Sequence, residues 1–334
     1  MCWPSPDSRR HAIAALDPST YRRHAIHGAE RTWGETNCYT DLLVELLHGF
    51  GFEPAAVLPF TLAIDFEGDQ WTFFKPPHAD LFDLYGMDLQ ELAIWRPLAD
   101  HVVEQVDAGR PVLVELDSWF LPDTAGTAYR LAHAKTTVGV NEIDVAARRL
   151  GYFHNAGYFR LEGDDFSNLF QLDGLVHERM LPPYVEYVRW RPGFVAPRGA
   201  ALLEASLAAL AKQLPRVPRE NPFARFKERF AQDLPGLLAA DIARFHAYSF
   251  ATLRQYGACY ELSETYLRWL GAQGVDGLEG AAGDFSAIAQ AAKAFQFQLA
   301  RSMARGKPLQ LAPIDAMGES WQRAIDALRV RFPS

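Results

Sequence analysis

The hydrophobic pattern changes character just past the middle of the chain. Up to about Pro183, short helical patterns alternate with runs rich in β-branched and aromatic residues, whereas from about Gly199 onward Ala, Leu and apolar residues at helical spacing dominate. A chain patterned this way is expected to fold as an α+β part followed by an all-helical part. Between the two, LPPYVEYVRWRPGFVAPRG reads as a strand and then a connecting segment, because its prolines and glycines interrupt regular structure. The expected organisation is therefore an N-terminal extension over 1–29, a first domain over 30–190, a connection over 191–199 and a helical domain over 200–334. With 49% apolar residues in 334, the chain can bury a sizeable core.

Within the first part, Asn37 is a good N-cap and CYTDLLVELLHGFG aligns Leu42, Leu43, Leu46, Leu47 and Phe50 on one face before ending at Gly51. This predicts a buried helix that starts at Cys38. VLPFTLAIDF, QWTFFK, PVLVELDSWF, KTTVGVNEI and LGYFHNAGYFRLEG read as strands bounded by Gly, Pro, Asn or Asp, several of them close enough to pair as antiparallel hairpins. The second part predicts helices near 200–214, 222–240, 242–271, 284–305 and 315–331, with breaks at Pro215, Pro218 and GVDGLEGAAGD.

Composition closes several functional classes. A net charge of −8 and a pI near 5.7, without clustered Lys and Arg, argue against nucleic acid as a partner. No apolar run reaches the roughly 18–20 residues of a membrane span, and MCWPSPDSRRHAIAALD lacks the features of a secretory signal, so no membrane association and a cytoplasmic location are expected. Cys2, Cys38 and Cys259 are too scattered for zinc or dithiol spacing and are expected to be reduced, with Cys259 a buried inert thiol. His24, His27 and Glu30 stand at helical spacing, but no second ligand cluster accompanies them; they read as ordinary surface residues, and no metal is expected. The glycines of GAAGD and GTAYR lack a phosphate-loop context, so no cofactor is expected.

The chemistry rests on Cys38. A thiol in the first turn of a helix faces unpaired N–H groups and the positive end of the macrodipole, which favour thiolate and can also hold an oxyanion. The bland alternative is a small buried hydrophobe at a helix start. His133, in YRLAHAKTTVGV, is expected to enter a strand, and His154 and Asn155 follow at the end of the next one. A cysteine, then a histidine, then an amide is the order in which an imidazole takes a thiol proton while a third side chain fixes its tautomer. Asn155 also reads as a plain turn residue. Asp117, in VELDSWFLPD, is the other candidate to orient the imidazole, or else a strand-end aspartate bonded to a loop. Tyr129 and Lys135 flank the histidine and could border a substrate, while Trp71, in DQWTFFKPP, reads first as core and only second as a substrate wall.

NCYTDLLVELLHGFG, PVLVELDSWFLPDTAGTAYRLAHAKTTVGVNEID and LGYFHNAG together resemble the amino-terminal domain of the butirosin-biosynthesis acyltransferase family. That domain has a papain-like fold related to bacteriocin-leader-processing cysteine peptidases. The resemblance covers roughly 30–160 and, more loosely, FHAYSFATLRQYGACYELSETYLRWL; the whole chain resembles an uncharacterised bacterial family close to that group, with ETNCYTD, DQWTFFK, LPDTAGTAYR and GYFHNAGY as its phrases. It implies a papain-like first domain in which Cys38 and His133 match the nucleophile and base. Asn155, in the dipeptide His154-Asn155, stands where an aspartate is usual. Where papain-like enzymes carry an oxyanion glutamine, this chain has Thr32, Trp33, Gly34, Glu35 and Thr36, with Asn37 as a possible substitute whose competing role is the helix cap.

The implied reaction moves an acyl or aminoacyl group from the phosphopantetheine thioester of an acyl or peptidyl carrier protein to Cys38 and then to a small-molecule amine. A cysteine peptidase or amidase using the same residues, and a non-catalytic carrier-protein or peptide-binding module on a papain-like scaffold, are the alternative expectations.

Overall fold

In the computed structural model, which describes residues 10–14, 16–172, 182–306 and 308–333, the chain forms two compact units that interleave along the sequence. The first gathers residues 1–27, 37–53 and 81–195, and the second gathers 28–36, 54–80 and 196–334. One mixed α+β unit and one helical unit result.

The first unit contains β1 (Arg10–His11), α1 (Cys38–Gly49), the end of α2 (His78–Tyr85), β2 (Met87–Glu91), α3 (Leu98–Asp107), β3 (Val112–Asp117), β4 (Lys135–Asp144), β5 (Arg149–His154), β6 (Gly157–Glu162), α4 (Asp164–Leu169) and β7 (Val185–Trp190). Its strands form one antiparallel sheet in the order β2-β7-β3-β4-β5-β6, and β1 pairs with the far end of β4. Strand alternation sends successive side chains to opposite faces. Val112, Val114, Leu116, Val138, Val140 and Tyr152 point to one face, where they pack with Ala99, Val102 and Val106 of α3 and Phe166 and Leu169 of α4. Leu113 and its cross-strand partner Gly139 point to the other face. There α1 approaches so closely that a Cβ on Gly139 would meet the Leu42 methyl at 2.6 Å, which only glycine relieves.

Burial of α1 extends all the way round it: every residue from Tyr39 to Leu47 is buried, Thr40, Asp41 and Glu45 included. A buried carboxylate needs a partner, and His27 supplies it. His27 Nδ1 lies 2.5 Å from Glu45 Oε1 and its Nε2 3.2 Å from Asp41 Oδ1. Tyr21 Oη donates to Glu45 Oε2 at 2.6 Å and the His24 amide to Oε1 at 3.0 Å. Burial alone would push the His27 pKa down, but hydrogen bonds to Asp41 and Glu45 and their charges outweigh it and raise it to about 9. His27 is thus an internal cation rather than the surface histidine expected from the sequence.

The second unit contains the 3-10 segment Pro54–Ala63, α5 (Ala200–Gln213), α6 (Pro222–Leu238), α7 (Ile242–Ser249), a π turn over Phe250–Arg254, α8 (Gln255–Ala272), α9 (Glu279–Arg305) and α10 (Ala312–Arg331). Its core is aromatic: the Trp71 ring lies 4.8 Å from Tyr256, 5.1 Å from Phe223 and 5.6 Å from Phe226. The helices expected from the sequence are present, although α9 begins before the glycines of GAAGD rather than after them. Two expected strands are not formed. VLPFTLAIDF lies largely in the 3-10 helix Pro54–Ala63, whose Pro54 and Pro59 lack the N–H donors a strand ladder needs. QWTFFK contributes only an isolated bridge between Phe66 and Trp71. Residues 54–80, placed with the first domain by sequence, pack here with the helices.

His27 makes stability pH-dependent. Its folded pKa is raised, so its contribution is complete below the unfolded value of 6.5 and fades as pH rises through about 9. Urea denaturation is expected to show unfolding free energy falling by roughly 3 kcal/mol across that window. His27→Gln, which leaves the buried Glu45 without its cation, is expected to cost about 3–5 kcal/mol and to flatten the slope; an unchanged slope in the variant would show that another group is responsible.

Candidate functional site

Asn37 adopts an extended conformation (φ −136°, ψ 152°), and its side chain accepts a hydrogen bond from the Thr40 amide at 2.9 Å, so it is the N-cap of α1. Cys38 is the first helical residue and is half-buried. Its Sγ sits 3.9 Å from Thr137 Oγ1 on β4, on the sheet face that α1 covers. The next residue, Tyr39, fastens the helix start: its hydroxyl donates to the buried Glu186 on β7 at 2.7 Å, and Tyr184 donates to the other carboxylate oxygen at 2.9 Å. Burial and the Glu186 carboxylate raise the pKa of both phenols, that of Tyr184 to about 12. Both therefore remain donors at neutral pH.

Strand register shows what else shares the face of Thr137. Glu115 is directly opposite Thr137, and Asp117 is directly opposite Lys135, one side-chain step further along. Beneath α1 the face is closed by Leu113, but beyond the first residue of the helix it opens, and Glu115 and Asp117 are partly exposed and Lys135 exposed. One step is two residues, or about 7 Å along a strand. At that outer step stands His133, whose Nδ1 lies 2.6 Å from Asp117 Oδ2. The other oxygen of Asp117 accepts the Trp119 amide at 3.0 Å, and the Trp119 ring stacks on the imidazole at 4.4 Å and 8°. Carboxylate and indole together fix the plane and the tautomer of His133, leaving Nε2 as the nitrogen that can exchange a proton. The side chain is 66% exposed. It belongs to the turn before β4 and not, as the sequence predicts, to the strand itself.

The remaining predicted positions divide. Lys135 Nζ pairs with Glu115 Oε1 at 2.6 Å, on the face that also carries Thr137 and Asp117. Tyr129 turns away and donates to Asp165 Oδ2 at 2.8 Å, beside an Arg130–Asp165 ion pair. Asn155 occupies the β5–β6 turn with φ of 44°, a left-handed conformation asparagine tolerates, while Asp117 holds His133. His154 is buried on the opposite sheet face, with Nδ1 2.5 Å from Asp123 Oδ2 and Nε2 2.8 Å from Thr136 Oγ1. Glu35 and Trp71 belong to the second unit, where Glu35 lies 3.8 Å from Arg254 and Trp71 is core. Thr137, Glu186 and Asp123 are interacting residues that the sequence reading missed. Only Asp123 carried a local signal, in the turn phrase LPDTAG.

Among the described residues, no cluster of three or more His, Cys, Asp or Glu is arranged to hold a metal ion, and no helix is long and apolar enough to cross a membrane. A family model described as the DUF1839 N-terminal domain matches residues 22–190, and one described as the DUF1839 C-terminal domain matches residues 199–330. No curated protein matches the chain.

The cap that sets the direction of α1 is separable from any chemistry at the thiol. Asn37→Ala is expected to lower the unfolding free energy by about 1 kcal/mol, and Asn37→Ser to recover most of it. Equal losses in both variants, measured by urea denaturation, would mean that the buried amide matters for something other than the Thr40 hydrogen bond.

Proposed function

The chain belongs to the DUF1839 family, and on the geometry above we propose that its first domain carries out thiol-dependent acyl transfer, with Cys38 as nucleophile, His133 as general base and Asp117 as the residue that orients the base. The observation that carries this reading is that the helix-terminal thiol touches Thr137 while the imidazole is held by Asp117, on the same sheet face and one strand step from Thr137. A cysteine at a helix start on one element and a histidine leading into a neighbouring strand is the papain-like arrangement. The third position departs from the asparagine that sequence order suggests, because the carboxylate of Asp117 fills that role.

The chemistry follows from the groups present. His133 Nε2 takes the Cys38 proton as the sulfur attacks the donor carbonyl, and the N–H groups of the first turn of α1 stabilise the oxyanion. Collapse breaks the carbonyl–sulfur bond of a thioester donor, and the imidazolium returns its proton to the departing thiolate. An acceptor amine then attacks the acyl-enzyme, gives a proton to His133 and takes the acyl group, while the Cys38 sulfur leaves and is reprotonated. A thioester suits this site because its leaving group needs little help. That the donor is a phosphopantetheine thioester on an acyl or peptidyl carrier protein rests on the resemblance of residues 30–160 to the butirosin-biosynthesis acyltransferase family. Because His133 is solvent-exposed, the geometry favours substrates delivered from the surface over those enclosed in a deep cavity.

An S-acyl-N-acetylcysteamine thioester is the simplest probe. Intact-mass spectrometry is expected to show one acyl adduct, mapping to Cys38 and absent in Cys38→Ala. His133→Ala is expected to slow adduct formation by about 10²–10⁴-fold, the usual worth of a positioned general base. Asp117→Asn is expected to slow it less. A Cys38→Ala protein that still forms the adduct, or a His133→Ala protein that forms it at the native rate, would sink the reading.

A further inference from the structure

A second buried polar cluster of the first unit lies away from the thiol. His154 is 1% exposed and Asp123 4%, and they lie 2.5 Å apart, while Thr136 closes on the other imidazole nitrogen at 2.8 Å. Tyr152 adds its hydroxyl to the second oxygen of Asp123, and burial and that carboxylate raise the pKa of the phenol. A hydroxyl, an imidazole and a carboxylate in line have the composition of a hydrolytic triad. Their burial against the α3 and α4 face excludes a substrate, so the cluster acts by holding something.

What it holds is set by where its partners sit in the sequence. Asp123 belongs to the 3-10 turn Pro122–Thr124, at the beginning of the loop that carries His133. Thr136 belongs to the first residues of β4, at the end of that loop. His154, from neighbouring β5, touches both ends at once. Between them the loop is built from local turns: Thr124 O accepts the amides of Thr127, Ala128 and Tyr129, and Arg130 N–H reaches back to Trp119 O at 3.2 Å. The loop itself is largely exposed and is tied in its middle by Tyr129 and Arg130 to Asp165, so the buried imidazole at its ends supplies the remaining restraint.

We infer that His154 is a positioning residue: a single buried imidazole, joined to Asp123 at one end and Thr136 at the other, pins the loop that presents His133 to the thiol face. The consequence for turnover rests on the reading of Cys38 and His133 given above; the consequence for the loop does not. Two groups bridged by one rigid ring fix the span between the loop ends, and the Trp119 and Asp117 contacts of His133 then need no further ordering. Removing the ring leaves those contacts to be made by a loop with freer ends.

Hydrogen–deuterium exchange on the full chain tests this directly. In His154→Gln, amides over 124–134 are expected to exchange about tenfold faster, with α1 and β3 unchanged. Thr136→Val is expected to reproduce part of the effect and Thr136→Ser to restore native exchange, which guards against a His154 variant that merely misfolds. Unchanged exchange over 124–134, or an equal rise everywhere, overturns the inference. With the thioester probe, the same variants are expected to lower the maximal rate of adduct formation and leave its half-saturating concentration unaltered; a rise in that concentration alone would also overturn it. If the native protein forms no adduct at all, the catalytic reading fails while the exchange result still decides the role of His154.

Discussion

The contact between Leu42 and the bare backbone of Gly139 sets the position of everything in the first unit's candidate site. A side chain at Gly139 would force α1 away from the sheet, and the start of the helix would move with it. Because α1 lies so close, Cys38 reaches Thr137, Tyr39 reaches Glu186, and the covered part of the face ends where the helix begins. The thiol is therefore half-buried at the edge between core and solvent. An inert core cysteine has no such edge: Cys259 in the second unit is fully buried, donates to Thr61 O at 3.4 Å, and its pKa is pushed well up by burial.

So close an approach buries the polar side of α1 as well, and this explains the ion cluster behind it. Asp41, in the first turn, suits the positive end of the helix dipole, but inside a protein both it and Glu45 require compensation. His27, Tyr21 and the His24 amide provide it from a segment that also packs Tyr21 against Phe153 and Tyr158. The chain before α1 is thus recruited to the first unit by charge, while residues 28–36 join the second, where the Glu261 carboxylate accepts the amides of Thr32 and Trp33 at 2.8 Å each.

Sequence made the local elements legible where period and caps agreed. The start of α1 at Cys38 and most helices beyond residue 199 follow from N-cap chemistry and helical spacing, whereas LGYFHNAGYFRLEG, which reads as one strand, is a hairpin turning at Asn155. It failed where an apolar run has no period. VLPFTLAIDF is buried almost throughout, so its side chains do not alternate, and Pro59 within it, with Pro54 just before it, favoured 3-10 helix. It failed again for interactions between distant residues. Nothing around His27 advertises Glu45, and nothing around His154 advertises Asp123, because such pairs are fixed by packing and not by spacing. Asp117 was recognisable only as a candidate, since its partner arrives through a loop whose path no local rule determines.

Two histidine–aspartate pairs flank β4, and the difference between them argues for a division of labour. His133 with Asp117 is exposed and is held through Nδ1 by one carboxylate, with one indole stacked on its ring. His154 with Asp123 is buried, has both ring nitrogens engaged, and can neither receive a substrate nor release a proton to one. A proton-transfer group must keep one nitrogen free, and a structural group buried in the core must not. On that criterion the exposed pair suits the proton transfer proposed for His133, and the buried pair suits the positioning role inferred for His154. Sequence order alone had joined His154 and Asn155 to the thiol. Strand alternation separates His154 from it by placing that ring on the far side of the sheet.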